Sequence, residues 1–171
     1  AVKAAGLKIL NKPLFKTPSD NRFSVSRGAP TVSIESSPPA SARVHYGTVR
    51  SGMQIYAEGC SLVIVGSVNN GAEVMADGDI HIYGTLMGRA VAGIGGSAGA
   101  HIFARSFDAS LVAVYDAFIA PDSSPELKKL RGKEVSLRLL KDGENVADVK
   151  AGGSQVVDCG SGKSLVVSTL N

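Results

Sequence analysis

The side chains that could do chemistry here are few: His81 and His101, the acids Asp77 and Asp79, Cys60 and Cys159, and two glycine-rich strings. Gly160-Ser161-Gly162-Lys163-Ser164 resembles the end of a phosphate-binding loop. That loop needs a glycine five positions before Gly162, where this chain has Val157, and it needs a helix to follow, whose N-terminus receives the phosphate. The residues after Ser164 read as a strand. Gly93-Ile94-Gly95-Gly96-Ser97-Ala98 spells a loose dinucleotide fingerprint, but again no helix follows and no acid stands about twenty positions on. A loop between two repeats accounts for it better.

His81 and His101 are expected to stack in neighbouring repeats on one face. Two imidazoles begin a metal site, yet a hydrolytic zinc takes a third protein ligand and an open position. His45 precedes the repeats and has no reason to converge. A stacked structural pair is the preferred reading. Asp77 and Asp79 sit in a turn, where aspartate is at home. Cys60 and Cys159 stand 99 positions apart without zinc spacing; a single distant disulfide stays open, but two small buried thiols fit better. There is no GxSxG elbow and no cysteine beside a base. The expectation is a protein that is not an enzyme and takes no cofactor or metal.

What, then, do these residues sit on? The chain has 171 residues, 44% apolar and 19% charged, with 20 glycines, no tryptophan and 5% aromatics. A core from such material is built of Val, Ile, Leu and Ala in thin layers. The composition argues against disorder, a long coiled coil or an aromatic nucleic-acid platform. No run of 18 apolar residues occurs, so no helix is expected to span a membrane. Charge is uneven: residues 1–30 hold six basic side chains against Asp20 alone, and the rest holds 12 basic against 14 acidic. The excess belongs to an arm, of the kind found in import segments or in tails docked on acidic surfaces. Five of the seven prolines fall in residues 13–46, which read as linker with one strand at Thr31–Ile34. Residues 1–46 are thus expected to be a basic, Pro-rich arm, and the folded unit to begin near Gly47.

Beyond Gly47 a beat appears. Leu62–Gly66, Ile80–Gly84 and Ala100–Ala104 recur at offsets of 18 and 20; Ala72–Val74, Arg89–Val91 and Ala109–Leu111 recur at 17 and 20. Two strand positions returning with nearly one period mark a β-helix, each coil lying on the last. Ile64, Ile82 and Ile102 are expected to form one inward ladder, and Val74, Val91 and Leu111 another. Twelve of the 20 glycines lie between Gly47 and Gly99, where the chain must turn corners.

In the first ladder the outward positions are Val63, Val65, Tyr83 and Phe103, with His81 and His101. A solvated face would alternate to polar residues. This one is expected to dock, on a second copy or on another subunit. The C-terminal third changes character: Ser123-Ser124-Pro125-Glu126 opens a short helix with a Ser cap, and Glu134–Leu140 alternates as a strand. Asp142-Gly143 reads as a hairpin turn, with further strands at Asn145–Lys150, Gln155–Asp158 and Ser164–Thr169. The fold class expected is all-β: a β-helix over 47–120, capped by a short helix and β-hairpin extension over 121–171.

Three strings carry a family resemblance. They are Arg50-Ser51-Gly52-Met53-Gln54-Ile55-Tyr56-Ala57, Gly71-Ala72-Glu73-Val74-Met75-Ala76-Asp77-Gly78-Asp79-Ile80-His81-Ile82-Tyr83-Gly84 and Gly88-Arg89-Ala90-Val91-Ala92-Gly93. In this order and spacing, over about 49–115, they resemble the C-terminal domain of the septum-site protein MinC. The resemblance implies a right-handed triangular β-helix that dimerises through an apolar face and binds the membrane-associated ATPase MinD. By motif it implies that Arg50, Ser51, Gly52, Gly71, Glu73 and Arg89 meet that partner; arginine there suits forked bonds to carboxylates. Met53 and Met87 depart from the family pattern, and residues 1–46 are too short and Pro-rich for the domain that acts on the division-ring protein FtsZ.

Two readings follow. One is a docking module that pairs through Val63, Val65, Tyr83 and Phe103 and binds a MinD-like ATPase, lying in the cytoplasm near the inner membrane through that partner. The other is a MinC-derived subunit of a larger assembly, in an organelle after import, without division activity. Neither involves nucleic acid.

Overall fold

The computed structural model describes residues 41–160 and 162–170; the arm and the Thr31–Ile34 strand expected within it lie outside the described residues. In chain order the elements are β1 (Ala42–Tyr46), β2 (Gln54–Ala57), β3 (Ser61–Val65), β4 (Glu73–Ala76), β5 (Ile80–Leu86), β6 (Arg89–Ala92), β7 (His101–Phe107), β8 (Leu111–Val114) and β9 (Ala117–Ile119). A 3-10 turn (Pro121–Ser123) and α1 (Pro125–Lys128) follow, then β10 (Val135–Leu139), α2 (Val146–Ala151), β11 (Gln155–Asp158) and β12 (Ser164–Thr169).

Alternate strands fall into two sheets. A long sheet runs β1-β3-β5-β7-β10-β12-β11 and a short sheet runs β2-β4-β6-β8-β9. From β1 to β8 every pairing is parallel and joins one coil to the next. A third side is almost free of sheet: Val49, Val68, Leu86 and Phe107 meet there one rung at a time, all fully buried. This is a β-helix, each coil having three sides. Residues Ala42–Tyr46, expected as linker, already form its first rung against β3.

The core is a set of ladders running through the coils. Leu62, Ile80, Ile102 and Leu137 form one, and Ile64, Ile82, Ala104 and Val135 the next. On the short sheet the inward rows are Ile55-Val74-Ala90-Val112-Ile119 and Ala57-Ala76-Ala92-Val114-Ala117. A coil cannot cover these side chains alone; each fully buried Ile, Leu or Val is worth about 1.5–3 kcal/mol once its neighbour covers it.

Two expected ladders need correction. Ile82 sits opposite Ala104, and Ile80 opposite Ile102, an offset of 22 where 20 was expected. Gly93–Gly99 lengthens this coil. An even slip keeps every side chain on its own face, so Ile64, Ile82 and Ile102 all remain inside. On the short sheet the slip is odd. Val74 sits opposite Ala90, so Val91 and Leu111 point outward, and Ala90 and Val112 take the inner row.

Glycine is obligatory at one corner. A Cβ on Gly66 would lie 2.2 Å from the Gly47 carbonyl oxygen, and one on Gly84 would lie 2.4 Å from that of Gly66. Backbone meets backbone there, and at Gly84 the Ser67 hydroxyl crowds the same space at 2.6 Å. In the last coil Tyr83 and Gly84 together oppose Arg105, a bulge that turns the strand toward the third side.

Polar side chains fasten coil to coil at the other corners. Ser61 Oγ accepts from the Asp79 N–H and Ser67 Oγ from the Thr85 N–H, both at 3.0 Å. Asp79 accepts from the His101 N–H at 2.7 Å. Asp77 accepts from the Tyr56 hydroxyl and from the Gly59 N–H, each at 2.6 Å, and also from the backbone of Gly95. Its carboxyl is held below the usual range, chiefly by the Tyr56 bond and next by Gly59. The same bond pushes the Tyr56 phenol up to about 12.

After β8 the grain reverses. β9 pairs antiparallel with β8, and β10 antiparallel with β7, followed by β12 and β11. Leu127 of α1 and Leu130 plug the end of the core. Ser124 stands at the α1 N-cap, but its side chain makes no capping bond. The strand expected at Asn145–Lys150 is instead α2, because Asn145 caps it by accepting from the Ala147 N–H at 3.0 Å. Val149 is buried on that helix. The Asp142-Gly143 turn therefore leads from a strand to a helix and is pinned by Glu144, which takes a forked pair from Arg138 at 2.6 and 2.8 Å. That pair, with the Lys141 N–H, holds the Glu144 carboxyl down to about 2. The hairpin of the extension is β11–β12, and Gly160 and Gly162, at φ +74° and +75°, turn it.

Two expectations test this architecture. Gly66→Ala should destabilise the protein by about 1–3 kcal/mol in urea unfolding, because the clash is backbone on backbone. Gly96→Ala should cost less, since its Cβ meets open space and only its φ of +98° is strained. The Tyr56–Asp77 bond gives a pH signature. A phenol raised from 10 to about 12 in the fold stabilises it fully below pH 10 and loses that contribution as pH climbs to 12. Thermal melts of Tyr56→Phe should fall below wild type at pH 8 and converge with it near pH 12; a constant gap would refute the bond.

Candidate docking surfaces

The outer wall of the long sheet carries Val63, Val65, Tyr83 and Phe103, as the alternation implies. Val65 is 43% and Tyr83 62% exposed, while Val63 and Phe103 are half-buried. Val44 and Tyr46 of the first rung continue the wall. Among the described residues, Val44, Val65, Tyr46 and Tyr83 are open, and all of these side chains lie on one face of successive strands.

The histidines are not stacked on each other. The offset of 22 sets His81 opposite Phe103, with ring centroids 4.7 Å apart and 12° between planes. His101, two residues before Phe103 on the same strand, lies 5.8 Å from the same ring. Both imidazoles thus stack with Phe103, and His101 Nδ1 is 3.6 Å from Asp79. Among the described residues no group of three or more His, Cys, Asp or Glu side chains could hold a metal. Cys60 and Cys159 are free thiols, both half-buried; burial raises the Cys159 thiol above its ordinary value.

The two nucleotide-like strings lie in turns. Gly93–Gly99 links β6 to β7, and the Gly160–Lys163 string links two antiparallel strands. Lys163 is already engaged by Asp116 and lies over the Tyr115 ring.

Arg50, Ser51, Gly52 and Gly71 meet at the corner that leads into the short sheet. The Gly52 N–H donates to the Gly71 carbonyl at 2.9 Å. Both glycines have positive φ, +80° and +77°, and a Cβ on Gly71 would press on Ser51 Oγ at 2.5 Å. Two residues past the corner, Gln54, Glu73 and Arg89 stand side by side on adjacent strands of the outer wall. Glu73 Oε2 accepts from Gln54 Nε2 at 2.9 Å and from Arg89 at 3.3 Å. All six residues named from the motif therefore border one corner and one row. At Met53, where the family pattern is broken, the backbone still closes the turn: its N–H donates to Arg50 O and its carbonyl accepts from Glu73.

Two contributors escape a reading by motif. Gln54 completes the carboxylate's partners. Next to the polar row lies an apolar one, Tyr56-Met75-Val91-Ala113-Phe118, in unbroken register across all five strands. Phe118 is 59% exposed. The strings IYA, EVMA and RAVA alternate apolar on both faces, so the inner and outer rows cannot be told apart until the register is known.

Residues 43–154 match the family model described as septum formation inhibitor MinC, C-terminal domain. A probable septum site-determining protein MinC of Xylella fastidiosa (strain M23) is 48% identical over 114 residues, which are 66% of this chain and 47% of that protein. Its counterpart in Xanthomonas campestris pv. campestris (strain 8004) is 50% identical over 109 residues, 64% of this chain and 43% of that one. The chain thus spans about half the length of these relatives. Among solved structures it resembles a chain of the MinC:MinD cell division protein complex of Aquifex aeolicus. The TM-score is 0.53 at 27% identity, over 60% of this chain and 81% of that one.

Proposed function

The chain belongs to the family of MinC C-terminal domains, and from that premise we propose that it is a non-catalytic docking module. It pairs with a second copy through the outer wall of the long sheet and receives a MinD-like ATPase at the Arg50–Gly71 corner. The observation that carries the reading is convergence. Arg50, Ser51, Gly52, Gly71, Glu73 and Arg89 come from three separate coils, yet border one corner and one row. The neighbouring solved structure is a MinC:MinD complex, which supports the choice of partner.

The mechanism is selection by geometry. Gly52 and Gly71, both at positive φ, add no side chain of their own between Arg50 and Ser51, so a partner's backbone can approach the corner closely. Arg89 and Glu73 hold each other in place beside it, offering a fixed donor and a fixed acceptor. On the other wall, apolar side chains on a rigid ladder lose little entropy when a copy covers them. No described helix is long and apolar enough to cross a membrane, and in this reading any membrane attachment comes through the partner. Because the chain spans about half its relatives' length, docking is the role proposed, not the whole of their septum-site activity. The relatives reported above are bacterial proteins, which leaves an organellar subunit without support.

Arg50→Ala and Arg89→Ala should each weaken MinD binding by about tenfold or more, the scale of an interface hot spot. A pull-down indifferent to both would remove this reading. Separately, Val65→Asp should lower the mass measured by light scattering to that of a single chain while the circular dichroism spectrum is kept. An unchanged mass would place the pairing surface elsewhere.

A further inference from the structure

The polar row on the short sheet is too small to hold a protein by itself. Each strand of β2, β4, β6 and β8 has four residues, so the outer wall has two rows only. A row one side chain wide across strands about 4.8 Å apart covers on the order of 100–150 Å². A stable interface takes about 800 Å² from each partner. A partner that engages Glu73 and Arg89 must therefore extend beyond that row, which has the corner on one side and the adjoining row of the same wall on the other. The adjoining row is Tyr56, Met75, Val91, Ala113 and Phe118.

We propose that this apolar row is the principal contact for the ATPase, and that the polar row mainly sets its register. The inference rests on the docking reading given above. Three features favour it. The Glu73 carboxylate is already shared by Gln54 and Arg89, so covering it removes water from a satisfied cluster and adds specificity more than affinity. The apolar row has an aromatic ring at each end, and aromatic anchors dominate interface energetics. The Tyr56 ring is held by its hydroxyl bond to Asp77, and the backbone that carries Phe118 is fixed by the pairing of β9 with β8. A second copy is the other occupant of matching chemistry, but the long-sheet wall on a different side of the coil is the surface assigned to it.

The test titrates purified MinD against the full chain and variants, with light scattering and thermal melts on each. Phe118→Asp and Met75→Asp should weaken MinD binding at least tenfold while the mass of the chain alone is unchanged, and Phe118→Leu should stay within about threefold of wild type. Phe118→Ala covers the case in which an aspartate disturbs β9, and should also lose about tenfold. If Phe118→Asp, Phe118→Ala and Met75→Asp bind as wild type while Arg89→Ala does not, the row is not part of the footprint and the inference fails alone. If wild type itself binds no MinD, the docking reading fails and takes this with it. A fall in the mass of the free chain in Phe118→Asp would give the row to a second copy and overturn the proposal.

Discussion

Every coil in this protein depends on the next for its backbone hydrogen bonds. Parallel ladders from β1 to β8 run along the stack, so an isolated turn of chain would leave its amides and its apolar edge in water. The tightest expression of that dependence is the corner at Gly47, Gly66 and Gly84, where successive backbones approach so closely that no Cβ fits between them. Much else follows from the spacing it sets. The inward ladders can be filled by Ile, Leu, Val and Ala with hardly an aromatic, and the outward positions are delivered in straight rows. Rows of side chains are what such a molecule can offer a partner.

Period and register proved to be different kinds of information. The recurrence of Leu62–Gly66, Ile80–Gly84 and Ala100–Ala104 was enough to read a β-helix and to place Ile64, Ile82 and Ile102 inside. It could not reveal that Gly93–Gly99 shifts the last coil by two residues, because a loop's length does not say how much of it leaves the sheet. The histidines show the effect: a shift of two exchanges a His–His contact for stacking of both rings with Phe103. A one-residue error on the short sheet had the larger consequence, hiding Val91 inside and with it the whole apolar outer row. At α2, where a strand is expected over Asn145–Lys150, a capping bond to Asn145 goes with a helix. The residues bordering the corner were legible only through the motif; composition and periodicity did not point to Arg50 or Glu73.

The two outer walls work by different physics. The long-sheet wall is apolar over most of its rows and offers area. The short-sheet wall sets an ion pair and an amide beside an apolar row, combining orientation with area. Because these walls belong to different sides of each coil, covering one leaves the other open, and neither needs the molecule to change shape.

The reversal of direction at β9 and β10 reaches beyond closing the core. The edges of β7 and β8 on which a further parallel coil would lie are already taken by the antiparallel strands β10 and β9. Such a protein could therefore grow longer in the course of evolution by duplicating a turn in its interior, where both neighbours already have the right polarity. Addition at the carboxyl end would first require dismantling the lid. The number of rows a partner meets is in this sense inherited as a fixed measure, set by where the chain turns against its own grain.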